Sequence, residues 1–322
     1  MKISAFPKGD LDDIVNGKIT VFQWIAQAAT LPIEGVELYS RMLLDKGESF
    51  WDQVADCLDE HDLVMPMLCA SPDLSAPDPA VRQREFDREV QMIQAARRIS
   101  GPGVSVRVLS GQRRPEVGVE QGLEWVADAI NRLVDVASEL GVLLGIENHY
   151  KDGFWKYPEF AQRPEVFFDL LDRIDERVWF GVQYDPSNAI TAGADSADFL
   201  DKVIDRVYTI QASDRSLAPG GNLADLKQAD GTLGYSPLLK HGIIGQGLND
   251  YDRIFSTLWN AGYDGWISVE DGVNSFDELR ASCEFLVQAR HRWFAGSTKV
   301  SVATLDHARA RQGLPPFEWV GA

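Results

Sequence analysis

Four short apolar runs between residues 142 and 270 each end in an oxygen-bearing side chain. A strand that buries aliphatic residues and then presents a carboxylate or an amide at its C-terminal end is typical of a barrel strand that reaches an active site. Carboxylates packed into one mouth would raise one another's pKa, and a divalent cation resolves that conflict. Oxygen ligands suit Mn²⁺ or Mg²⁺. We therefore predict one such ion per active site, bound by Glu147, Asp185, Gln211 and Glu270.

Single residues of this set also have plainer interpretations. Asp185 precedes Pro186 and Ser187 and could merely cap a helix. Gln211 is a neutral amide, and such a group after a strand is more often a hydrogen-bonding group than a ligand. Capping does not readily explain four such residues in successive units, each after an apolar strand. The set as a whole therefore favours a metal site.

An imidazole lies close to the first of these carboxylates in sequence. His149 follows Glu147 by two residues, and strand side chains alternate with period two, so both are expected on the same side of the strand. An imidazole has an intrinsic pKa suited to proton transfer near neutral pH. We predict that His149, Glu147 and Glu270 are the catalytic residues. Asn148 would face the barrel wall and support its neighbours by hydrogen bonds.

A further set of polar and aromatic residues falls at or beyond the predicted strand ends and could bind substrate oxygens or rings. Each of the polar ones could equally be a surface group. Trp155 belongs to the aromatic and basic loop 150–158 and could stack on a sugar ring, although packing beneath that loop is an equal alternative. The predicted substrate-binding residues are Glu37, Arg107, Asn188, Arg215, His241 and Trp155.

The elements that must position these residues alternate throughout the chain. Eight strand–helix units in strict alternation predict a parallel sheet, and eight units close a (β/α)8 barrel. A doubly wound open sheet is the alternative, but no Gly-rich phosphate-binding turn follows the first strand. The predicted strands are 2–6, 35–39, 64–69, 104–109, 142–149, 178–185, 207–211 and 265–270, and the predicted helices are 20–29, 50–58, 78–99, 119–140, 164–174, 196–204, 251–261 and 276–294.

The predicted domain organisation is a single catalytic barrel over residues 1–295 followed by an extension. No linker rich in Gly, Ser or Pro divides the chain. The extension, residues 296–322, is expected to pack on the barrel or on a partner. Residues 213–250 form a βα segment far longer than usual, and long segments of this kind in compact domains are usually functional.

Charge and composition exclude several classes of protein. The formal net charge of -18 argues against nucleic acid and anionic membranes as partners. Cys57, Cys69 and Cys283 are too few and too scattered for a disulfide framework. The N-terminus enters a strand directly rather than forming a signal peptide, and no apolar run approaches the roughly 20 residues of a membrane span. We predict a cytoplasmic, oligomeric protein.

Three motifs together resemble the xylose isomerase-like barrel family of sugar isomerases, ketose 3-epimerases and sugar phosphate isomerase/epimerase-type proteins. They cover residues 146–149 (IENH), 184–189 (YDPSNA) and 262–270 (GYDGWISVE), and the resemblance extends over residues 1–294. It implies a single Mn²⁺-like site at Glu147, Asp185, the ligand of strand seven and Glu270.

The chain departs from that pattern at two positions. The strand-seven ligand of the family is usually His followed by a Lys-Asp pair, whereas this chain has Gln211-Ala212-Ser213-Asp214. The epimerases often have His where this chain has Asn188. At these two positions the chain is more similar to the catalytic subunit of bacterial C-glycoside deglycosidases. Those enzymes eliminate the aglycone from a 3-keto sugar and work with a small second subunit.

Three alternatives to the deglycosidase remain open at this stage. A ketose 3-epimerase or sugar isomerase would share the first step, in which a proton is removed next to a carbonyl that a metal polarises. A non-catalytic barrel that binds a sugar belongs to another class. An endonuclease for abasic sites uses this fold as well, but needs a basic surface, which the charge of -18 does not favour.

Overall fold

Strands and helices follow one another along the part of the chain that the computed structural model describes, residues 1–174, 176, 178–226 and 238–294. The strands are β1 Lys2–Ala5, β2 Gly35–Val36, β3 Leu38–Tyr39, β4 Met67–Cys69, β5 Ser105–Val108, β6 Leu143–Glu147, β7 Phe180–Tyr184, β8 Val207–Ala212, β9 Arg215–Leu217, β10 Leu239–His241 and β11 Trp266–Val269. The helices are α1 Leu11–Val15, α2 Val21–Ala28, α3 Glu48–Glu60, α4 Pro79–Ser100, α5 Val119–Leu140, α6 Pro164–Asp172, α7 Pro186–Thr191, α8 Ser196–Val203, α9 Leu223–Leu226, α10 Tyr251–Asn260 and α11 Phe276–Ala289.

The central sheet closes on itself through one interrupted strand. Within the described residues its order is β2-β1-β11-β8-β7-β6-β5-β4-β3, and all of its pairings are parallel. The two edge segments, β2 and β3, are separated only by Glu37, so they form one strand with a neighbour on each side. The sheet is therefore an eight-position barrel, which confirms the predicted fold.

The barrel interior is polar towards the carboxyl ends of the strands. Gln211 on β8 reaches across to Cys69 on β4 with an Nε2–Sγ distance of 3.4 Å, and Thr209 reaches Met67 with an Oγ1–Sδ distance of 3.5 Å. These residues are two apart on each strand, so they mark the inward phase of the alternation. Arg107 pairs in register with Cys69 and therefore points inward as well. Side chains in this phase rise in layers towards the mouth of the barrel.

The outer helices follow the predicted positions because their apolar stripes match the helical period. On α5, Leu123, Val126, Ile130 and Leu133 are buried at spacings of three and four residues. Gly141 ends this helix with φ 68°, a left-handed conformation that suits glycine. The chain then enters β6 directly, and this sharp reversal sets the position of the strand that carries the first predicted ligand.

The long segment after β8 is tied to the barrel by one carboxylate. Asp214 accepts backbone N–H groups from Gly245, Gly247 and Asn249 at 2.8 to 3.2 Å, and from Arg215 at 3.0 Å. This anchoring brings β9 and β10 together as an antiparallel hairpin. The hairpin carries two of the predicted substrate-binding residues to the mouth of the barrel.

Some sequence predictions concern residues that the structure does not describe. The extension 296–322 and residues 227–237 of the long segment lie outside the described residues, so the predicted division at residue 295 stays a prediction. Across the described ranges, no helix combines the length and the apolar character needed to cross a membrane.

Candidate metal centre and active site

Three buried carboxylates meet at the mouth of the barrel. Glu147 ends β6, Asp185 directly follows β7 and Glu270 directly follows β11. One oxygen from each lies within 4.8 Å of the others, and the residues are at most 5% exposed. Sequence order separates these residues widely, but the parallel barrel brings the ends of their strands to one place. Glu147, Asp185 and Glu270 therefore have the common meeting point that the sequence predicts.

Glu147 is held by donors at both of its oxygens. The Arg107 guanidinium donates to Oε2 at 2.6 Å, and the Asn188 side chain donates to Oε1 at 2.9 Å. Burial raises the pKa of Glu147, and the charges of His149 and Arg107 oppose that rise without cancelling it. Arg107 and Asn188 thus fix the orientation of this carboxylate.

Asp185 both caps a helix and keeps one oxygen for another partner. Its Oδ1 accepts from the backbone N–H of Asn188 and from the Ser213 hydroxyl, each at 2.8 Å. The Asn148 side chain donates to the Asp185 carbonyl and accepts the Asp185 backbone N–H, in the supporting role that the sequence predicts. Asp185 Oδ2 is buried without a hydrogen-bond partner. Burial raises the pKa of Asp185 well above its usual range, and the charges of Glu270 and Glu147 add to the rise.

Glu270 is paired with a cation that sequence analysis did not identify. The Lys8 ammonium lies 2.7 Å from Glu270 Oε1, and both side chains are largely buried. Burial alone would raise the pKa of Glu270, but the Lys8 charge and hydrogen bond outweigh it and lower that pKa to about 2. Glu270 is therefore ionised at any physiological pH.

Gln211 is oriented so that its carbonyl oxygen remains available. Its Nε2 donates to Glu37 Oε2 at 2.8 Å, and its Oε1 is buried without a partner. Burial raises the pKa of Glu37 to about 7, so this acid sits at the base of the site near its titration point. Unpartnered buried acceptors are rare in proteins and require an explanation. Gln211 Oε1, Asp185 Oδ2 and the two glutamates form an oxygen set that fits a hard divalent cation.

His149 is held in a fixed orientation beside this set. Its Nδ1 lies 3.0 Å from Glu159 Oε2, and Glu159 Oε1 accepts from both the backbone N–H and the hydroxyl of Ser110 at 2.7 Å. Burial lowers the pKa of His149, but the charges of Glu147 and Glu159 outweigh burial and raise it. Such a carboxylate partner fixes the tautomer and leaves Nε2 for proton transfer.

A second imidazole reaches the same mouth from the β9–β10 hairpin. His241 Nδ1 lies 3.0 Å from Asp271 Oδ1, and the other oxygen of Asp271 accepts the backbone N–H of Asp214 at 2.6 Å. Burial, together with the charges of Arg215 and Lys8, lowers the pKa of His241 to about 3. His241 is consequently neutral at neutral pH.

A family model described as "Xylose isomerase-like TIM barrel" matches residues 25–289. The chain belongs to the xylose isomerase-like TIM barrel family. This match spans most of the chain and includes every strand from β2 to β11, so it covers all three carboxylates of the cluster.

Known proteins similar to this family member include several enzymes. An inosose dehydratase of Geobacillus thermodenitrificans (strain NG80-2) is 26% identical over 157 residues, which are 48% of this chain and 48% of that protein. The chain thus matches about half the length of that relative. A D-tagatose 3-epimerase-like protein has TM-score 0.70 at 17% identity, covering 91% of this chain and 98% of that one. The IOLI protein "with a binding zinc atom" has TM-score 0.69 at 15% identity, covering 92% and 100%.

The remaining predicted substrate-binding residues of this xylose isomerase-like barrel lie in three different environments. Glu37 lies beneath the carboxylates and contacts Gln211 and Cys69. Arg215 and His241 reach the mouth on the hairpin, where the Arg215 guanidinium contacts Thr191 at 3.4 Å. Trp155 lines a cavity whose wall also includes Ala70 and Ser71, both of which contact Arg107. Whether these residues bind substrate stays a prediction.

Sequence analysis missed the groups that hold the predicted residues in place. Lys8 pairs with Glu270, Glu159 orients His149, Asp271 contacts His241, and Asp214 anchors the long segment. Each is a charged residue just after a strand or in a loop. For Asp271, its position directly after the predicted ligand Glu270 could have indicated a place at the site. The contacts of the other three depend on loop paths that the hydrophobic pattern does not encode.

Proposed function

We propose that this protein is a divalent-metal-dependent enzyme that removes a proton next to the carbonyl of an oxidised sugar and then expels a leaving group. The favoured substrate is a 3-keto C-glycoside, and the leaving group is its aglycone. The dehydratase relative supports an elimination, because loss of water next to a ketone follows the same course. The Gln at position 211 and the Asn at position 188 support this branch of the family.

One observation carries the proposal: His149, rather than a carboxylate, is the group equipped to accept the proton. Both oxygens of Glu147 already hold donors, and Glu270 holds the Lys8 ammonium. Oxygens that already accept hydrogen bonds in this way are not free to take a proton from the substrate, so we assign these carboxylates to the cation. In His149, Nδ1 is engaged by Glu159, so Nε2 is the atom that can take a proton from the substrate.

Glu147, Asp185, Gln211 and Glu270 would hold the ion, either Mn²⁺ or Mg²⁺. The bound ion would polarise the sugar carbonyl and stabilise negative charge that develops on its oxygen. Asn148, Asn188 and Ser213 hold Asp185 and Glu147 at fixed positions, so little reorganisation is needed when the ion and the sugar bind.

The proposed bond changes balance around one proton. His149 Nε2 takes the hydrogen from C2, next to the C3 carbonyl. The C2–H electron pair forms a C1=C2 double bond as the bond between C1 and the aglycone carbon breaks. His149 then returns its proton to the aglycone carbon, and the products are an unsaturated 3-keto sugar and the free aglycone. Neutral His241, held by Asp271, would donate or accept a hydrogen bond at a sugar hydroxyl.

The decisive experiment compares two substrates under the same conditions. Protein loaded with Mn²⁺ is incubated with a 3-keto C-glucoside or with D-fructose, and free aglycone and epimeric ketose are measured by chromatography. We expect free aglycone and no epimer. We expect His149→Gln to lower turnover by roughly 10²- to 10⁴-fold while Mn²⁺ still binds at one ion per chain. The matched control is His291→Gln, an exposed imidazole after α11, which should leave turnover unchanged. Full turnover in His149→Gln would refute this assignment.

A ketose 3-epimerase is the second candidate, and the D-tagatose 3-epimerase-like neighbour supports it. In that reaction the proton returns to the same carbon from the opposite face, and Glu147 and Glu270 would act as the two bases. Epimer formation in the same assay, with retention of activity in His149→Gln, would favour this candidate. Binding of less than one Mn²⁺ per chain and no turnover would instead favour a non-catalytic sugar-binding barrel.

We also propose that the enzyme works as an oligomer with a small second subunit. The net charge of -18 and the residues beyond 295 support a protein partner rather than nucleic acid. Purification of the tagged full chain from its source, followed by mass determination of the intact complex, tests this. A complex that contains only copies of this chain would refute the second subunit.

A further inference from the structure

A cavity of about 140 Å³ opens beside the metal centre, between α4 and the chain that follows β3, β4 and β6. We call it the side pocket. Aromatic and apolar side chains make up part of its wall, and the loop 150–158 contributes its indole. The residues that define it here are Tyr39, Arg41, Ser71, Glu89, Met92 and Trp155.

Most polar groups in this wall are already satisfied by neighbouring side chains. Tyr39 donates to Asp152 Oδ2 at 2.8 Å, and Ser71 receives a hydrogen bond from Arg107 Nη2 at 3.1 Å. The Arg41 guanidinium lies 3.8 Å from the ring centroid of Phe154. These groups therefore shape the side pocket and do not require a ligand.

Glu89 is the exception. It is 2% exposed, it lines the side pocket, and its Oε1 is buried without a hydrogen-bond partner. Among the described residues that line the side pocket, no other buried side-chain oxygen or nitrogen lacks a partner. Burial raises the pKa of Glu89 well above its usual range, which favours the protonated acid, and a protonated carboxyl group can both donate and accept. A buried polar atom without a partner is costly, and a ligand hydroxyl would remove that cost.

Arg107 connects the wall of the side pocket to the carboxylate cluster. Arg107 donates from Nη1 to Glu147 at 2.6 Å, from Nη2 to Ser71 at 3.1 Å and from Nε to the Ala70 carbonyl at 3.1 Å. Ala70 and Ser71 are themselves part of the cavity wall. A molecule in the side pocket would therefore lie next to whatever binds at the metal centre.

Volume and chemistry restrict the occupant to a single hydroxylated ring. A cavity of about 150 Å³ holds one benzene-sized molecule. A sugar ring carries hydroxyl groups around its whole edge and would need a partner for each, whereas this wall offers one unsatisfied side chain. A phenolic ring needs one or two partners and gains from contact with Trp155 and the Met92 sulfur.

We propose that the side pocket binds a hydroxylated aromatic ring through the Glu89 carboxyl group, and that this ring is the aglycone of the substrate. The second half of this statement rests on the proposed function. The first half concerns binding alone and is independent of turnover.

The test measures binding to the metal-free full chain by isothermal titration calorimetry, with resorcinol and D-glucose as probes. We expect resorcinol to bind the wild type and Glu89→Gln, because an amide also donates and accepts, and to bind Glu89→Leu at least 10-fold more weakly. Asp87→Asn makes the same acid-to-amide change as Glu89→Gln at an exposed position of the same helix and is the control. If Glu89→Leu fails to fold, Trp155→Ala, on a partly exposed loop, takes its place and should weaken resorcinol binding.

Three outcomes would overturn the side pocket as a ring site: no binding of resorcinol, equal binding to Glu89→Leu and the wild type, or binding of D-glucose in place of resorcinol. The role in catalysis has a separate readout. With Mn²⁺ and the 3-keto C-glucoside, Glu89→Leu should raise KM at least 10-fold with little change in kcat. Resorcinol binding that depends on Glu89, in a protein that releases no aglycone, would contradict the proposed function and leave the ring site in place.

Discussion

Replacing Asp185 by asparagine should stabilise the metal-free protein while removing its ability to bind Mn²⁺. The substitution keeps the geometry of the site, because the asparagine carbonyl can accept the Asn188 N–H and the Ser213 hydroxyl as Oδ1 does now. The new amide replaces Oδ2, which has no partner in the wild type. The change thus removes one negative charge from a cluster of three and little else.

The magnitude follows from the distances and from the pKa. Two unit charges 4.8 Å apart repel by about 3 kcal/mol at an effective dielectric constant of about 20. The sign is set by the raised pKa of Asp185, whose usual value is 3.8. An acid whose folded-state pKa is raised is protonated in both states at low pH, and stability is lost as pH rises above its ordinary value, by about 1.4 kcal/mol per unit. The gain from Asp185→Asn should therefore be near zero at pH 4 and should grow as the pH rises above 4, up to the order of the charge repulsion, about 3 kcal/mol.

Thermal unfolding of metal-free protein between pH 4 and pH 6 measures this gain. For a chain of this length, about 3 kcal/mol corresponds to a rise in Tm of roughly 4 °C. Added Mn²⁺ at about 100 times its Kd should stabilise the wild type by about 2.7 kcal/mol and leave the variant unchanged. Asp195→Asn, at the exposed cap of α8, is the control and should change neither quantity. A lower Tm for metal-free Asp185→Asn at pH 6, or a full response to Mn²⁺, would refute the reasoning.

Two further substitutions test the groups that support the site. Lys8→Met should make the protein unfold at a higher pH on acidification. Glu270, with its pKa lowered to about 2, stabilises the fold above its ordinary pKa of 4.5, and that stability is lost as the pH falls towards 2. Circular dichroism against pH should therefore show a higher acid midpoint for the variant, and an unchanged midpoint would contradict the role of Lys8. Asp214→Ala should leave four backbone N–H groups without an acceptor, and the buried ones of Arg215 and Asn249 should cost about 1 to 3 kcal/mol each. Hydrogen exchange of residues 238–250 should rise while that of the barrel strands stays constant, and a uniform rise in both would argue against a local anchor.

The sequence was sufficient to predict the barrel and the position of its carboxylates. Apolar runs of four to six residues alternate with amphipathic helices, and that pattern has few solutions in three dimensions. Once the barrel is accepted, Glu147, Asp185 and Glu270 must lie together, because parallel strands end at one face. Their distances then follow from backbone geometry rather than from side-chain detail.

Contacts made by loops could not be predicted in the same way. Lys8 follows the first strand and meets Glu270 only because the barrel closes β1 against β11. Glu159 reaches His149 after the nine-residue loop 150–158, in which Asp152 accepts a hydrogen bond from Tyr39. The hydrophobic period carries no information about such paths. The helix-cap and metal interpretations of Asp185 do not exclude each other, because the cap uses Oδ1 and leaves Oδ2 without a hydrogen-bond partner.

The hairpin of β9 and β10 enters and leaves the barrel wall without taking part in it. His241 and Arg215 therefore reach the mouth of the barrel on a segment inserted after β8, while the strands and the proposed cation ligands at the ends of β6, β7, β8 and β11 belong to the barrel itself. A barrel of this type can diversify by acquiring a new insertion after one strand. Transplanting residues 213–250 into a relative would carry this imidazole with it and offers a route to new selectivity.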